Sequence, residues 1–208
     1  MKPYLVKTPK FVQRLFPKRV WAFSNKKNSV FLTFDDGPIP EVTPWVVNEL
    51  KKYGAKATFF CIGDNIQKYP EVFQLLINQG HTIGNHTFQH LKGSKTKTEV
   101  YIQDVVRTEE VIRQSDKLFR PPYGKLSSKQ SKNLQKKGFK IVMWDVLSAD
   151  FDTSISEEKC LQNVLKNIED GSIIVFHDSL KARKKLEYTL PKVLEFIAEK
   201  GWKCEAIL

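Results

Sequence analysis

The sequence predicts a single α/β domain built around a parallel sheet. In its 208 residues, short apolar runs typical of buried strands alternate with helical patterns about seven times. The connections are short, and no linker, low-complexity tract or internal repeat divides the chain. Strands that are apolar along their whole length and alternate with helices indicate a parallel sheet covered on both faces. An incomplete barrel and an open doubly wound sheet both fit this pattern.

Residues 1–28 form a basic lead-in to the predicted domain, which spans residues 29–208. The apolar residues of the lead-in follow a roughly helical spacing that Pro17 should interrupt. They are Phe11, Val12, Leu15, Phe16 and Val20. We expect this segment to close one end of the domain, and a weak contact with a membrane surface is its alternative role.

The first half of the domain predicts three strands with helices between them. The apolar run at residues 30–32 predicts a strand that continues into a turn at residues 33–38, with the sequence TFDDGP. Thr43 as N-cap and Pro44 at the first helical position predict a helix that stops at Gly54. The next strands are predicted at residues 57–62 and 82–83, and a helix at residues 70–79 separates them.

The second half continues the alternation. Two capping boxes, Thr96 with Glu99 and Ser127 with Gln130, predict helix starts, and the first of these helices runs to about Arg113. Further strands are predicted at residues 118–119, 139–144 and 172–176, and a helix at residues 157–168. The last helix contains residues 190–197, ends near Gly201 and precedes a terminal strand.

The composition is that of a folded globular protein. A content of 41% hydrophobic and 27% charged residues argues against disorder. The three cysteines, Cys61, Cys160 and Cys204, lack the spacing of a metal site and predict reduced thiols rather than disulfides. No run reaches the ~18 apolar residues that a membrane span needs, and no signal peptide is visible. We therefore expect a cytoplasmic protein, with membrane or cell-envelope association as the alternative.

The net charge of +11 could attract nucleic acid, an anionic membrane or an acidic polymer. Lysines occur over most of the chain without interleaved stacking residues, and no nucleic-acid-binding motif is present. This distribution predicts solvated lysines and no specific nucleic-acid partner. The oligomeric state is left open by the sequence.

Titratable residues occur where several predicted strands end. Asp35 and Asp36 follow the first strand, His86 the third and Arg120 the fourth. The fifth leads to Asp145 and Asp150, and the sixth ends in His177 and Asp178. In parallel α/β folds the carboxyl ends of the strands carry the chemistry. Independent turns would not explain five such coincidences, so the sequence predicts an active site at this edge.

A metal ion fits two of these residues. His86 and His90 are four residues apart, and on a helical turn both imidazoles would share a face. A carboxylate from Asp35 or Asp36 would complete a set of two histidines and one carboxylate, with positions open to water and substrate. His81 precedes its strand and is expected to be structural.

Five ordered motifs between residues 33 and 177 resemble those of the carbohydrate esterase family 4 polysaccharide deacetylases, which share the NodB homology domain. The motifs are TFDDGP at residues 33–38, HTFQH at 86–90, RPPYG at 120–124, Asp150 with Phe151, and VFH at 175–177. Residues 56–60 and 80–85 are also similar to the family. The resemblance covers most of the chain, and five motifs in the same order are specific.

The resemblance implies a deformed (β/α)7 TIM-like barrel as a single domain, with the lead-in of residues 1–28 packed on it. It also implies a divalent metal held by Asp36, His86 and His90. We expect Zn²⁺, with Co²⁺, Fe²⁺ or Mn²⁺ as alternatives. An N-acetylated carbohydrate is the implied substrate.

Each remaining motif residue has an implied role. Asp35 would be the catalytic base, held by Arg120, and His177 the catalytic acid, oriented by Asp150. The backbone N–H of Tyr123, in the motif with Pro121 and Pro122, would contribute to an oxyanion site. Phe151 replaces the usual tryptophan and Val175 the usual leucine of the acyl-pocket wall. These two departures alter the shape of the pocket without removing a catalytic group.

We therefore expect a metal-dependent amidohydrolase that removes N-acetyl groups from N-acetylglucosamine polymers or oligomers, such as peptidoglycan or chitin-like chains. Deacetylation or deformylation of a lipid-linked or cytoplasmic amino-sugar precursor is an alternative, as is O-acetyl ester cleavage. An inactive module that binds acidic polymers is the alternative from another class. The intact acid–base residues weigh against it, because binding alone does not need them.

Overall fold

A computed structural model describes residues 4–113 and 116–208 of the chain. Its sheet is built from parallel strands. They are β1 (Ser29–Asp35), β2 (Thr58–Cys61), β3 (Thr82–Asn85), β4 (Leu118–Phe119), β5 (Lys140–Ile141), β6 (Val146–Leu147), β7 (Ile173–His177) and β8 (Lys203–Cys204). The helices are α1 (Lys10–Leu15), α2 (Thr43–Lys52), α3 (Gly63–Lys68), α4 (Pro70–Asn78), α5 (Thr98–Ile112), α6 (Ser128–Lys136), α7 (Glu157–Leu165) and α8 (Arg183–Glu199). Short 3-10 turns occupy Gly93–Lys95 and Pro122–Gly124.

The order of the strands decides between the two predicted architectures. They run β5-β4-β3-β2-β1-β7-β6, and β8 pairs only with the start of β1. Strands β1 to β5 thus lie in sequence order, β6 lies beside β7, and β7 returns to β1, as in a barrel. The pairing is open between β5 and β6. The predicted deformed (β/α)7 barrel in a single domain is therefore confirmed, and the doubly wound sheet is excluded.

The lead-in lies along the seam between β5 and β6. Val20 N–H donates to the Ile141 carbonyl at 2.9 Å, and Met143 N–H donates back to Val20 at 2.7 Å. On the other side, Leu147 N–H donates to the Val6 carbonyl at 2.8 Å. These bonds pair the exposed edges of both strands, which would otherwise present free N–H and C=O groups. The domain boundary at residue 28 stays a prediction.

Alternate residues of β1 face two different layers. Val30, Leu32 and Phe34 pack beneath the surrounding helices in the largest apolar cluster of the described chain. Phe31 belongs to a second cluster inside the curved sheet, and Thr33 and Asp35 share its side of the strand. The strand is buried on both faces, as expected for a parallel sheet under helices. This alternation directs Asp35 inward.

Several local predictions are corrected by the structure. The Thr96–Glu99 capping box is absent, since α5 begins at Thr98 and the Thr96 hydroxyl donates to the Lys92 carbonyl. Thr43 is the first residue of α2 rather than its N-cap, because its hydroxyl bonds to Asp178. The capping box of Ser127 and Gln130 is confirmed.

Two elements of the structure, one strand and one helix, were not predicted. The strand expected at residues 139–144 is only the short β5, and the separate strand β6 takes the place beside β7. The short helix α3 was also missed. Among the described residues, no helix combines the length and apolarity of a membrane span, and the location of the protein in the cell stays a prediction.

Candidate active site

A cavity of about 430 Å³ opens at the carboxyl ends of the strands. It collects the side chains that the sequence predicted to converge there, namely Asp35, Asp36, His86, His90 and His177. Its apolar wall is formed by Tyr4, Tyr123, Trp144, Leu147, Phe151 and Val175. Arg120 and Asp150 lie behind this surface, fully buried.

Three of these residues form a group with the geometry of a metal site. One ligand atom from each of Asp36, His86 and His90 lies within 4.8 Å of the others. Asp36 Oδ1 is 3.2 Å from His90 Nε2 and 3.7 Å from His86 Nε2. This oxygen is buried without a hydrogen-bond partner among the described residues. Because a buried unpaired carboxylate oxygen is costly, its position between two imidazole nitrogens fits a bound cation.

The two histidines present the nitrogens that a metal needs. His86 Nδ1 lies 2.8 Å from the Arg120 carbonyl, which accepts a hydrogen bond from Nδ1–H and so leaves Nε2 with its lone pair toward the cavity. Burial lowers the pKa of His86 to about 4, so the ring is neutral at pH 7. Burial opposes ionisation of Asp36, but His90, His177 and His86 outweigh it and hold the pKa of this carboxyl well below its usual range.

The segment from His86 to His90 is a loop, not the predicted helical turn. Thr87 and His90 have positive φ values of 65° and 54°. The carboxylate of Asp104 accepts hydrogen bonds from Phe88 and Gln89 N–H, which fixes the loop against α5. The spacing of four residues therefore brings the two imidazoles together, with ring centres 5.1 Å apart, by a different backbone path.

Backbone strain is concentrated around this cavity. Positive φ is uncommon for residues other than glycine and is tolerated where the surrounding structure imposes it. Asp36 has a φ of 83°, Tyr123 of 59° and Ala149, which precedes Asp150, of 60°. At Asp36 the conformation is held by Asn65, whose side-chain amide donates to the Asp36 carbonyl at 2.7 Å. The strained positions thus coincide with the motifs found in the sequence.

Asp35 is paired with a fully buried arginine. Arg120 Nη1 donates to Asp35 Oδ1 at 2.8 Å and to the Thr33 hydroxyl at 2.7 Å. Its other nitrogens donate to the Val142 and Met143 carbonyls. Asp35 Oδ2 makes no hydrogen bond within the described residues, and Asp35 lines the cavity. One oxygen is therefore fixed by Arg120 and the other is available to a ligand.

The half-buried His177 forms a second pair, with the fully buried Asp150. His177 Nδ1 lies 2.7 Å from Asp150 Oδ1, and the His177 backbone N–H donates to Asp150 Oδ2 at 2.7 Å. Burial disfavours the charged ring, but the adjacent Asp150 carboxylate outweighs it and raises the pKa of His177 to about 10. His177 is thus an imidazolium at pH 7, and its ring lies at the cavity surface.

The predicted substrate-contacting residues divide into two groups. Phe151, Val175 and Tyr123 line the cavity, and the Tyr123 ring packs 4.8 Å from that of His90. Pro121 and Pro122 are buried and do not line it. The Pro121 carbonyl instead accepts a hydrogen bond from Gly124 N–H, which closes the turn that presents Tyr123.

Asp178 contributes to the site without reaching the cavity. Its fully buried carboxylate accepts hydrogen bonds from Gly37 N–H at 3.0 Å and from the Thr43 hydroxyl at 2.6 Å. Burial raises the pKa of Asp178 to about 8. A side chain at position 37 would collide with this carboxylate, which explains the glycine after Asp36. The sequence placed Asp178 at a strand end but gave no signal for this contact.

Tyr4 and Trp144 are cavity residues that sequence reasoning missed. Tyr4 comes from the lead-in, and Trp144 from the segment between β5 and β6. No local pattern marks either residue, because both reach the cavity through contacts between distant parts of the chain. His81 is structural as predicted: it is buried behind β2 and its Nδ1 accepts a hydrogen bond from Ala57 N–H.

Comparisons with known proteins give one consistent result. The family model for polysaccharide deacetylase matches residues 23–142. A peptidoglycan-N-acetylglucosamine deacetylase of Bacillus cereus is 38% identical over 168 residues, which are 78% of this chain and 61% of that protein. A chitooligosaccharide deacetylase of Azorhizobium caulinodans is 36% identical over 160 residues, 74% of this chain and 76% of the relative.

The fold also matches a solved structure over nearly its whole length. The Bc1960 peptidoglycan N-acetylglucosamine deacetylase superposes with a TM-score of 0.88 and 32% identity, covering 96% of this chain and 95% of the other. The chain therefore belongs to the polysaccharide deacetylase family.

Proposed function

We propose that this protein is a metal-dependent hydrolase that removes N-acetyl groups from N-acetylglucosamine units of an oligosaccharide or polysaccharide, such as peptidoglycan or a chitin-like chain. The observation that carries the proposal is the arrangement of charge around one cavity. A carboxylate and two imidazole nitrogens face one point, while Asp35, paired with Arg120, and the protonated His177 adjoin it. The similar proteins named as deacetylases support the same reaction.

Asp36, His86 and His90 would hold the metal, and Zn²⁺ suits two imidazoles and one carboxylate with positions left open. Such an ion polarises an acyl oxygen and lowers the pKa of water. The Arg120 carbonyl fixes the orientation of the His86 ring from behind. This support keeps the site in place before substrate binds.

Asp35 would act as the base. Arg120 anchors one carboxylate oxygen, so the other can accept a proton from the water that attacks the acyl carbon. The buried guanidinium holds this side chain through a charge-assisted hydrogen bond of 2.8 Å. It also limits rotation of the side chain, because Thr33 and two backbone carbonyls hold the guanidinium itself.

His177 would act as the acid. An amine is a poor leaving group until its nitrogen is protonated, and an imidazolium at the cavity surface can supply that proton. Asp150 binds Nδ1 and so directs Nε2 toward the cavity. The Tyr123 N–H would donate to the oxyanion that forms when water adds to the acyl carbon.

The apolar wall would receive the acetyl methyl group. Leu147, Val175 and Phe151 form one cluster beside His177. Phe151 meets the His177 ring edge-on at 5.1 Å between centres. These side chains exclude water from the acyl group and strengthen the electrostatic interactions around it.

The proposal is tested by acetate release. Purified protein is incubated with N-acetylglucosamine oligomers, with peptidoglycan and with an O-acetylated xylan, and free acetate is measured with and without a chelator. We expect release from the N-acetylated substrates, loss with the chelator and recovery when Zn²⁺ is returned. No release from any N-acetylated sugar would reject the proposal, and release only from the ester would replace it with esterase activity.

A further inference from the structure

Tyr4 places an aromatic ring from the lead-in at the edge of the catalytic cavity. Its ring meets Phe151 edge-on, with centres 5.7 Å apart. Its hydroxyl donates to Asp152 Oδ2 at 2.8 Å. Burial and the neighbouring Asp152 raise the pKa of Tyr4 to about 12, so the hydroxyl keeps its proton as a donor. The ring is therefore held in one orientation by two adjacent residues of the acyl-pocket segment.

The backbone around Tyr4 is fixed as well. The Val6 carbonyl accepts a hydrogen bond from Leu147 N–H, so this part of the lead-in runs beside β6. Lys7 then forms a salt bridge with the buried Asp145 at 2.8 Å and donates to the Asn167 carbonyl at 2.8 Å. These contacts follow Tyr4 within three residues. The ring is thus a built part of the cavity wall and not a loose terminus.

We propose that Tyr4 is a specificity-determining residue that limits the size of the acyl group the cavity accepts. This inference rests on the proposed deacetylase function. Tyr4 packs on the cluster of Leu147, Val175 and Ala149, together with Phe151, on the side where the acyl methyl would lie. An acyl chain longer than acetyl would extend toward this ring. Removing the ring opens space there, whereas removing only the hydroxyl does not.

The test compares variants on a series of acyl groups. Release of acetate, propionate and butyrate from the corresponding N-acyl glucosamine oligomers is measured for wild type, Tyr4→Ala, Tyr4→Leu and Tyr4→Phe. Leu5→Ala is the matched control, because Leu5 is the next residue and is exposed. One methylene in an apolar pocket typically changes kcat/KM by ~10-fold or more. We expect the butyrate-to-acetate ratio of kcat/KM to rise about tenfold in Tyr4→Ala and to stay unchanged in Tyr4→Phe and Leu5→Ala.

The outcomes separate this inference from the function on which it rests. An unchanged ratio in Tyr4→Ala, or in Tyr4→Leu if the alanine variant is unfolded, overturns the role of Tyr4 while acetate release still supports the deacetylase. An equal rise in Tyr4→Phe also overturns it, since the hydroxyl would then be responsible. Absence of any acyl release by the wild type rejects both.

A second inference concerns the outer side of the lead-in, and it rests on the distribution of charge. Residues 1–28 contain eight lysines and arginines and no aspartate or glutamate. The rest of the chain contains 26 basic and 23 acidic residues, so it is close to neutral. The net charge of +11 is therefore mostly carried by a segment that makes up about one seventh of the chain.

The same segment exposes apolar side chains. Helix α1 has no buried residue, and Phe11 and Leu15 are 65% and 68% exposed. They are four residues apart and share a face of the helix. Phe16 is 41% exposed beside them, and the Arg19 guanidinium lies 4.4 Å from the centre of its ring. We call Phe11, Leu15, Phe16 and Arg19 the basic apolar patch.

We propose that the basic apolar patch docks on an anionic lipid bilayer. Anionic headgroups complement a segment with no acidic residue, and the exposed apolar side chains can enter the interface between headgroups and acyl chains. A soluble acidic polymer would use the positive charges but would leave Phe11 and Leu15 in water. The combination of the two features therefore favours a bilayer.

Sedimentation with vesicles tests this docking. Binding is measured to phosphatidylcholine vesicles with and without phosphatidylglycerol, for wild type and for the double variant Phe11→Ser with Leu15→Ser. Val100→Ser is the control, because Val100 is 49% exposed on the separate helix α5. We expect binding only to the anionic vesicles, reduced at least tenfold in the double variant and unchanged in Val100→Ser. No binding to the anionic vesicles, equal binding of the double variant, or binding to polyphosphate alone would overturn the docking.

Discussion

His86 is buried and His177 half-buried in one cavity, and their pKa values shift in opposite directions. Each ring is fixed through Nδ1, at 2.8 Å from a backbone carbonyl for His86 and at 2.7 Å from a carboxylate for His177. Burial lowers the pKa of His86 to about 4. At His177 the Asp150 carboxylate outweighs the same burial and raises the pKa to about 10.

The comparison shows that the partner at Nδ1 decides what a buried histidine can do. A carbonyl orients the ring without adding charge, so burial keeps it neutral and its Nε2 is free to bind a metal. A carboxylate stabilises the imidazolium, so the ring can donate a proton. Under the proposed function, one cavity would thereby contain a metal ligand and an acid built from the same residue type.

The largest effect is expected from His86→Ala. Removing this ligand leaves Asp36 and His90, which are too few for a stable site, so both bound metal and acetate release should fall to background. Metal content measured by elemental analysis beside acetate release checks the prediction. If the variant still bound a full equivalent of metal, the metal site would not include His86.

A smaller effect is expected from His177→Gln. The glutamine cannot protonate the leaving nitrogen, so kcat should fall by ~10²–10⁴-fold, the usual contribution of a positioned acid. Bound metal should stay at the wild-type level, because His177 is not part of the Asp36, His86 and His90 group. Joint loss of metal and turnover would remove the distinction between the two histidines.

Asp150→Asn should shift the pH dependence of turnover. Without the carboxylate the pKa of His177 falls, so the fraction of protonated acid declines at a lower pH. The alkaline limb of the kcat profile should therefore move to lower pH, with a moderate loss of kcat at pH 7. If the alkaline limb did not move, a group other than His177 would be responsible for it.

The smallest effect concerns stability in the metal-free protein. The pKa of His177 is about 10 in the folded chain, against a usual value of 6.5. Its pairing with Asp150 therefore stabilises the fold fully below pH 6.5 and loses this contribution as the pH rises through 10. Between pH 7 and pH 10.5 the wild type should lose more free energy of unfolding than Asp150→Asn, as measured by urea denaturation. Equal losses in the two proteins would contradict the pairing.

The motifs allowed much of this site to be predicted from sequence. Polar residues at strand ends were informative because a parallel sheet brings those ends to one edge. Asp35 at the end of β1 pairs in register with His177 at the end of β7, and Asp36 follows directly. His86 and His90 were paired correctly, although the helical turn assumed for them is a loop fixed by Asp104.

The remaining features depend on contacts that no local pattern encodes. The closure of the seam by residues 6–22 depends on hydrogen bonds between segments more than a hundred residues apart. Tyr4 enters the cavity for the same reason. The prediction of a Thr96–Glu99 capping box was wrong, because the Thr96 hydroxyl donates to the Lys92 carbonyl instead. Local chemistry therefore indicated what the residues could do, and tertiary contacts decided where they lie.

The most direct test of the account compares Asp35→Asn with His86→Ala in one experiment. Asparagine keeps an oxygen for Arg120 but cannot accept the proton of water, so turnover should fall by ~10²–10⁴-fold while bound metal is retained. His86→Ala should lose both. The measurement is the molar ratio of metal to protein beside the rate of acetate release from N-acetylglucosamine oligomers. If Asp35→Asn keeps its metal but loses turnover, while His86→Ala loses both, the base and the metal ligands have separate roles. Equal loss of metal in the two variants would contradict this separation.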